Sequence, residues 1–214
     1  MSLQHNDLSA EALRRGAMPG RGYIVARLIS QVLHPVILGV VSIFIVGLLG
    51  ISPLRTGLLW ALLATFLQVI PPLIFFAMRL RQGVYTDDDI SVRSQRNELY
   101  LFGIINLLVS LLILLFVGAP LPMLAMVTSA LILSVVAWFI NLYWKISVHA
   151  STMGSTATLA SLYAEPLGLF LWLCALALGW ARVRTRNHTV MQVVAGLALS
   201  ALCVVGTFMA FGLL

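Results

Sequence analysis

Hydrophobic positions in this chain come in long unbroken runs, separated by short polar islands. Residues 1–22 are polar and rich in small residues, with Arg14, Arg15 and Arg21. They read as a polar lead lying on a membrane surface. From residue 23 onward the runs predict spans at roughly 24–50, 57–79, 99–117, 121–143 and 190–213, with a further apolar region at 153–180. A helix needs about 20 apolar residues to cross a bilayer, and most of these runs meet that length. His34-Pro35 interrupts the first run and reads as a kink whose polar group a neighbouring helix satisfies. Pro71-Pro72 bends the second. The segment Gly118-Ala119-Pro120-Leu121-Pro122 is a tight turn.

The region 153–180 is broken at Glu165-Pro166. One long kinked helix and two short passes both fit it. The short passes would hold about 14 residues each, below the usual 17–25. Parity favours them. Polar residues within membrane chains are costly and tend to be functional, and here they cluster around Arg96, His149 and His188. Two short passes bring all three islands to one membrane face, whereas one long helix would split them. The expected fold is therefore an all-α polytopic membrane helix bundle with six to seven transmembrane helices, its lead at 1–22 and its transmembrane domain at 23–214.

Composition supports this class. Hydrophobic residues make up 61% of the 214 and charged residues 9%, against about 25% charged in soluble domains. The formal charge is +6, from 13 Lys+Arg and 7 Asp+Glu, and the basic residues gather between apolar runs. That pattern points to membrane orientation and anionic head groups, with no nucleic acid as partner. Cys174 and Cys203 lie inside apolar runs and read as packing residues.

The three islands carry a resemblance. Asp89 is followed after six residues by Arg96-Asn97. The second island reads Ile146-Ser147-Val148-His149. The third reads Ala181-Arg182, five residues, His188, three residues, Gln192. In this order they resemble the three motifs of the type 2 phosphatidic acid phosphatase superfamily of membrane lipid phosphatases: Lys, six residues, Arg-Pro; Pro-Ser-Gly-His; and Ser-Arg, five residues, His, three residues, Asp. The resemblance covers roughly residues 89–213 and leaves the first two spans outside it. It implies that Arg96, Ser147 and Arg182 bind phosphate and that His149 and His188 are the two catalytic histidines. The chain departs at the motif-one Lys and Pro, the motif-two Pro and Gly, and the motif-three Ser and Asp.

The chemistry of these residue types agrees with that implication. Phosphoryl transfer needs positive donors around the equatorial oxygens, and arginine offers a planar fork that stays charged. His188 is the expected nucleophile, forming a phosphohistidine. His149 would protonate the leaving alkoxide and later activate water. Gln192 would orient His188, although it lacks the charge of an aspartate. Lys145 and Arg93 are further phosphate-binding candidates that could replace the missing motif-one lysine. The scheme needs neither cofactor nor metal; its partners are a membrane lipid substrate, a lipid phosphate or isoprenoid diphosphate, and the bilayer.

Two other readings stand beside it. Asp89 and Gln192 motivate a degenerate, non-catalytic protein that binds anionic lipids. Asp87, Asp88 and Asp89 motivate a magnesium-dependent prenyl-transferring enzyme, but no second aspartate cluster follows. On the seven-pass layout Arg14, Arg15, Arg21, Arg27, Arg79 and Arg81 lie on the islands' side, and the opposite side holds only Arg55. The positive-inside rule then predicts a cytoplasmic-facing site in a bacterial inner membrane.

Overall fold

The protein is described from a computed structural model, which covers residues 20–85, 90 and 92–214. The lead at 1–19 and residues 86–89, including the three aspartates, lie outside the described residues. Of Arg93, only the backbone is described; it opens a short 3-10 turn, Arg93–Gln95.

The fold is an all-α bundle, with no strand among the described residues. Its helices are α1 (Arg21–Val32), α2 (Pro35–Gly50), α3 (Leu54–Gln68), α4 (Ile70–Arg81), α5 (Arg96–Phe116), α6 (Leu121–Tyr143), α7 (Val148–Tyr163), α8 (Glu165–Arg184) and α9 (Val190–Ala210). Five segments are long and apolar enough to cross a membrane: Leu54–Arg81, which joins α3 and α4, then α5, α6, α8 and α9. The bent pair α1 and α2 makes a sixth. Helix α7, with 16 residues, is shorter than a usual span.

The proline positions explain the breaks. Pro35, Pro71 and Pro166 each stand in the first turn of a helix, where a missing N–H costs nothing. Glu165-Pro166 thus starts α8 after a one-residue connection, and 153–180 is two helices rather than one. The first span bends by 41° between Val32 and Pro35. At Pro71 the missing N–H leaves the Leu67 carbonyl without its helical donor. Asn106 Nδ2 and Ser110 Oγ of α5 donate to that carbonyl at 3.1 and 3.3 Å. A proline inside an apolar span is tolerated on such terms.

Helix α7 is the centre of the bundle. Its sequence, VHASTMGSTATLASLY, is small and weakly polar on every side, and 10 of its 16 residues are buried. Small residues let neighbouring backbones approach. A Cβ on Gly154 would meet Leu197 O of α9 at 2.9 Å, and one on Gly168 of α8 would meet the Ser161 backbone N at 2.6 Å. Towards α2, Thr156 Oγ1 shares a hydrogen bond with Ser42 Oγ at 2.8 Å. This composition also corrects the sequence reading, which began the span near residue 153: the helix starts at Val148, and the second island is its first turn.

Candidate functional site

The site is assembled by helix ends. The connection from α8 to α9 folds back on itself, with Arg186 in the left-handed region at φ 58°. The N–H groups of Asn187 and His188 both donate to the Arg182 carbonyl at 3.2 Å. The five-residue spacing between Arg182 and His188 therefore closes a turn that seats the histidine at the end of the helix carrying the arginine. Thr185 Oγ1 ties the same turn to Ala181 O at 2.9 Å.

Helix α9 begins with a capping box. Thr189 Oγ1 accepts from Gln192 N at 3.3 Å, and Gln192 Oε1 accepts from Thr189 N at 3.1 Å. The second bond fixes which amide atom is oxygen. That oxygen also lies 3.1 Å from His188 Nδ1. Since an amide oxygen only accepts, the neutral ring carries its proton on Nδ1 and has its lone pair on Nε2. Gln192 thus occupies the orienting position expected of it.

On the facing side, Arg96 is the first residue of α5. Its Nε donates to Ile90 O at 2.8 Å and its Nη1 to Ile146 O at 3.2 Å. These bonds engage two of its five donors and draw the first and second islands together. Ser147 caps α7, its Oγ accepting from Ala150 N at 3.3 Å. His149 follows as the second residue of the helix. Asn141 Nδ2 donates to Asn97 Oδ1 at 3.1 Å, joining the end of α6 to the start of α5.

The result is a cluster of buried ionisable groups: Arg182 is 1% exposed, Arg96 5%, His188 6% and His149 7%. Arg96, Arg182, His34 and His188 lie within electrostatic reach of His149. Burial holds His188 well below its usual range, at about 3; the charges of Arg96, Lys145 and Arg182 push the same way, and the Gln192 hydrogen bond opposes them.

Arg96, His149 and His188 line one cavity of about 480 Å³. Its other end is apolar, reaching Ile43, Met126, Leu159 and Val204. Val204 is fourteen residues along α9 from Val190, about 21 Å at 1.5 Å per residue. The cavity therefore runs from a polar mouth deep into the bundle. Two polar atoms in residues on its wall, Gln68 Nε2 and Tyr100 Oη, are buried without a hydrogen-bond partner. Arg182, Ser147 and Lys145 do not line the cavity; Arg182 and Lys145 act on its mouth by charge, and Ser147 by holding the start of α7.

One residue at the mouth belongs to none of the islands. His34 lines the cavity and packs edge-on against His149, with ring centroids 5.5 Å apart and planes at 85°. The signal available in the sequence was His-Pro inside an apolar span, which marks a helix start at membrane depth. Among the described residues, no group of three or more His, Cys, Asp or Glu is placed to hold a metal. Compared with protein-family models, curated proteins and solved structures, the chain matches none.

Proposed function

We propose that this protein is an integral membrane lipid phosphatase that hydrolyses a lipid phosphate or isoprenoid diphosphate through a phosphohistidine. One observation carries the reading: Arg96, His149 and His188 line a single cavity whose wall is mostly apolar, with Arg182 buried beside them. An anionic head group suits the mouth, and a hydrocarbon tail suits the interior. Four helices, α2, α5, α7 and α9, also begin at this mouth. Helix N-termini carry partial positive charge and favour anions.

The tautomer of His188 supplies the attacking atom. His188 Nε2 attacks phosphorus and forms the P–N bond. The P–O bond to the leaving group breaks, and its electron pair stays on the departing oxygen, an alkoxide from a lipid phosphate or the lipid monophosphate from a diphosphate, which takes a proton from His149. Water then attacks phosphorus, giving its proton to His149, and the P–N bond breaks with its electrons returning to His188. The phosphate's negative charge favours the protonated form of His149. Arg96, on the cavity wall, stabilises the equatorial oxygens directly, and Arg182, buried behind the wall, adds its charge. Lys145 adds positive charge at the mouth, and Ser147 acts by capping α7; Arg93 is a further candidate from the sequence. Gln192 holds His188 in the attacking tautomer, and the low proton affinity of His188 keeps Nε2 available.

A cavity of about 480 Å³ falls in the size range of small-molecule sites, about 300–1,000 Å³. The basic residues flanking the islands support a cytoplasmic-facing site in a bacterial inner membrane.

The test is phosphate release from a panel of phosphatidate, phosphatidylglycerol phosphate and polyprenyl diphosphates, with chelator present. Turnover is expected in the wild type and its loss in His188→Ala. Binding of these lipids without turnover would instead favour the degenerate lipid-binding reading, and dependence on magnesium the prenyl-transferring one.

A further inference from the structure

The cavity wall does not turn apolar directly below the mouth. Helix α7 lines it with His149, Thr152, Ser155 and Leu159. These positions are three or four apart and share one face of the helix. The stripe stays polar through Ser155, six residues beyond His149, or about 9 Å along the axis. Only at Leu159 does it become hydrocarbon. Thr152 spends its hydroxyl hydrogen within the helix, donating to Val148 O at 3.0 Å.

Tyr100 lines the same cavity from α5. It stands one turn beyond Arg96 on the same helix face, about 6 Å deeper, and within electrostatic reach of that guanidinium. Helical side chains lean toward the helix N-terminus, which for α5 is the mouth. Among the described residues, Tyr100 Oη is buried with no hydrogen-bond partner. Leaving a buried hydroxyl unsatisfied costs about 1–3 kcal/mol. A group bound in the cavity is what remains to satisfy it, and a hydrocarbon chain does not.

Lipid chemistry separates the substrates at this depth. In a phosphorylated acylglycerol the ester carbonyls follow the phosphate across the glycerol carbons, so they fall just below the phosphate site. In a polyprenyl phosphate or diphosphate, everything beyond the phosphates is hydrocarbon. An ester carbonyl only accepts, and the Tyr100 hydroxyl donates.

We propose that Tyr100, with Ser155 on the α7 stripe, forms a polar subsite for the ester carbonyls of a phosphorylated acylglycerol, and that this subsite selects such lipids over polyprenyl phosphates. The inference rests on the phosphatase reading and narrows its substrate. Neither residue touches the reacting atoms; both determine specificity.

The substitution Tyr100→Phe removes Oη alone. Full-length protein in detergent is assayed with a diacylglycerol phosphate, with its dialkyl ether analogue, which lacks the carbonyls, and with a polyprenyl phosphate. The expected result is a kcat/KM on the diacyl lipid reduced about three- to tenfold, with the other two substrates within twofold of wild type. The melting temperature should stay at or above that of the wild type, because a hydroxyl without a partner stabilises nothing. Ser155→Ala should show the same selectivity with a smaller loss. The wild type alone gives a second measurement: it should prefer the diacyl lipid to the ether analogue by a similar factor. Equal losses on all three substrates, or a lowered melting temperature in Tyr100→Phe, would assign the hydroxyl to the phosphate or to the fold and overturn the inference. Equal turnover of diacyl and ether lipids by the wild type would overturn it while leaving the phosphatase reading intact. A wild type that releases phosphate from none of the three would overturn both readings together.

Discussion

His188 shows how local chemistry sets a residue's role. Its ring is buried among positive charges and holds a proton only below about pH 3, whereas a histidine in an unfolded chain titrates near 6.5. Below about pH 6.5 the unfolded state therefore binds more protons at this position than the native state. The contribution of His188 to stability is complete above that pH and falls as the pH drops toward about 3. Thermal unfolding measured from pH 7 to pH 4 should show this loss, and His188→Gln should flatten it. Replacing Gln192 with Glu keeps the capping box, since Glu serves at the third helical position, and brings a carboxylate near Nδ1. The His188 titration, followed by NMR of labelled histidine, should move upward in Gln192→Glu. No change would mean that the side chain at 192 does not govern the ring.

At the residue scale some positions stand out in the sequence and others do not. Arg96, His149, Arg182 and His188 were legible because charge is rare in an apolar chain, and each stands at a break in a run. His34 was passed over because a neighbouring proline already explained a polar interruption. The cap bond to Val36 and the ring contact with His149 join residues 34 and 149, and no local pattern encodes a contact across that distance. The part that Asp89 plays lies outside the described residues.

At the scale of elements, helix ends and small residues govern the geometry. The capping box at Thr189 holds both the start of α9 and, through Gln192, the His188 ring. Thr189→Ala should cost about 1 kcal/mol of stability, with a fall in turnover beyond that loss because the orienting amide is released. Circular dichroism melting beside phosphate release distinguishes the two effects. The packing of α7 on α9 is tighter still. Gly154 has no room for a side chain against Leu197 and Ser200, so Gly154→Leu should separate the helices and destabilise the protein by roughly 1–3 kcal/mol. The breaks at Pro35, Pro71 and Pro166 could be read from composition because proline acts locally. The start of α7 could not. Its small, weakly polar residues lack the hydropathy of a span, and only burial by α2, α8 and α9 makes it the core helix.

For the whole molecule, the question is what the cavity holds. Gly39 and Gly103 line it, and a Cβ at either position would meet nothing within 4 Å. Gly103→Phe should therefore fill the interior without disturbing the backbone. Its expected effect is a selective one: KM rises for long-chain lipid phosphates, while a small soluble phosphate ester reacts as in the wild type. Equal treatment of both substrates would place the tail elsewhere, for example between the bundle and the bilayer. The gathering of the three islands at one cavity mouth followed from parity, because burying charge once is less costly than burying it twice.

The most direct measurement is chemical trapping. The wild-type protein is mixed with a lipid carrying labelled phosphate, quenched in alkali, digested and mapped by mass spectrometry. The account predicts a phosphoryl group on His188, stable to alkali and lost in acid, and none at that position in His188→Ala. Turnover with no label on His188, or turnover preserved in His188→Ala, would contradict it.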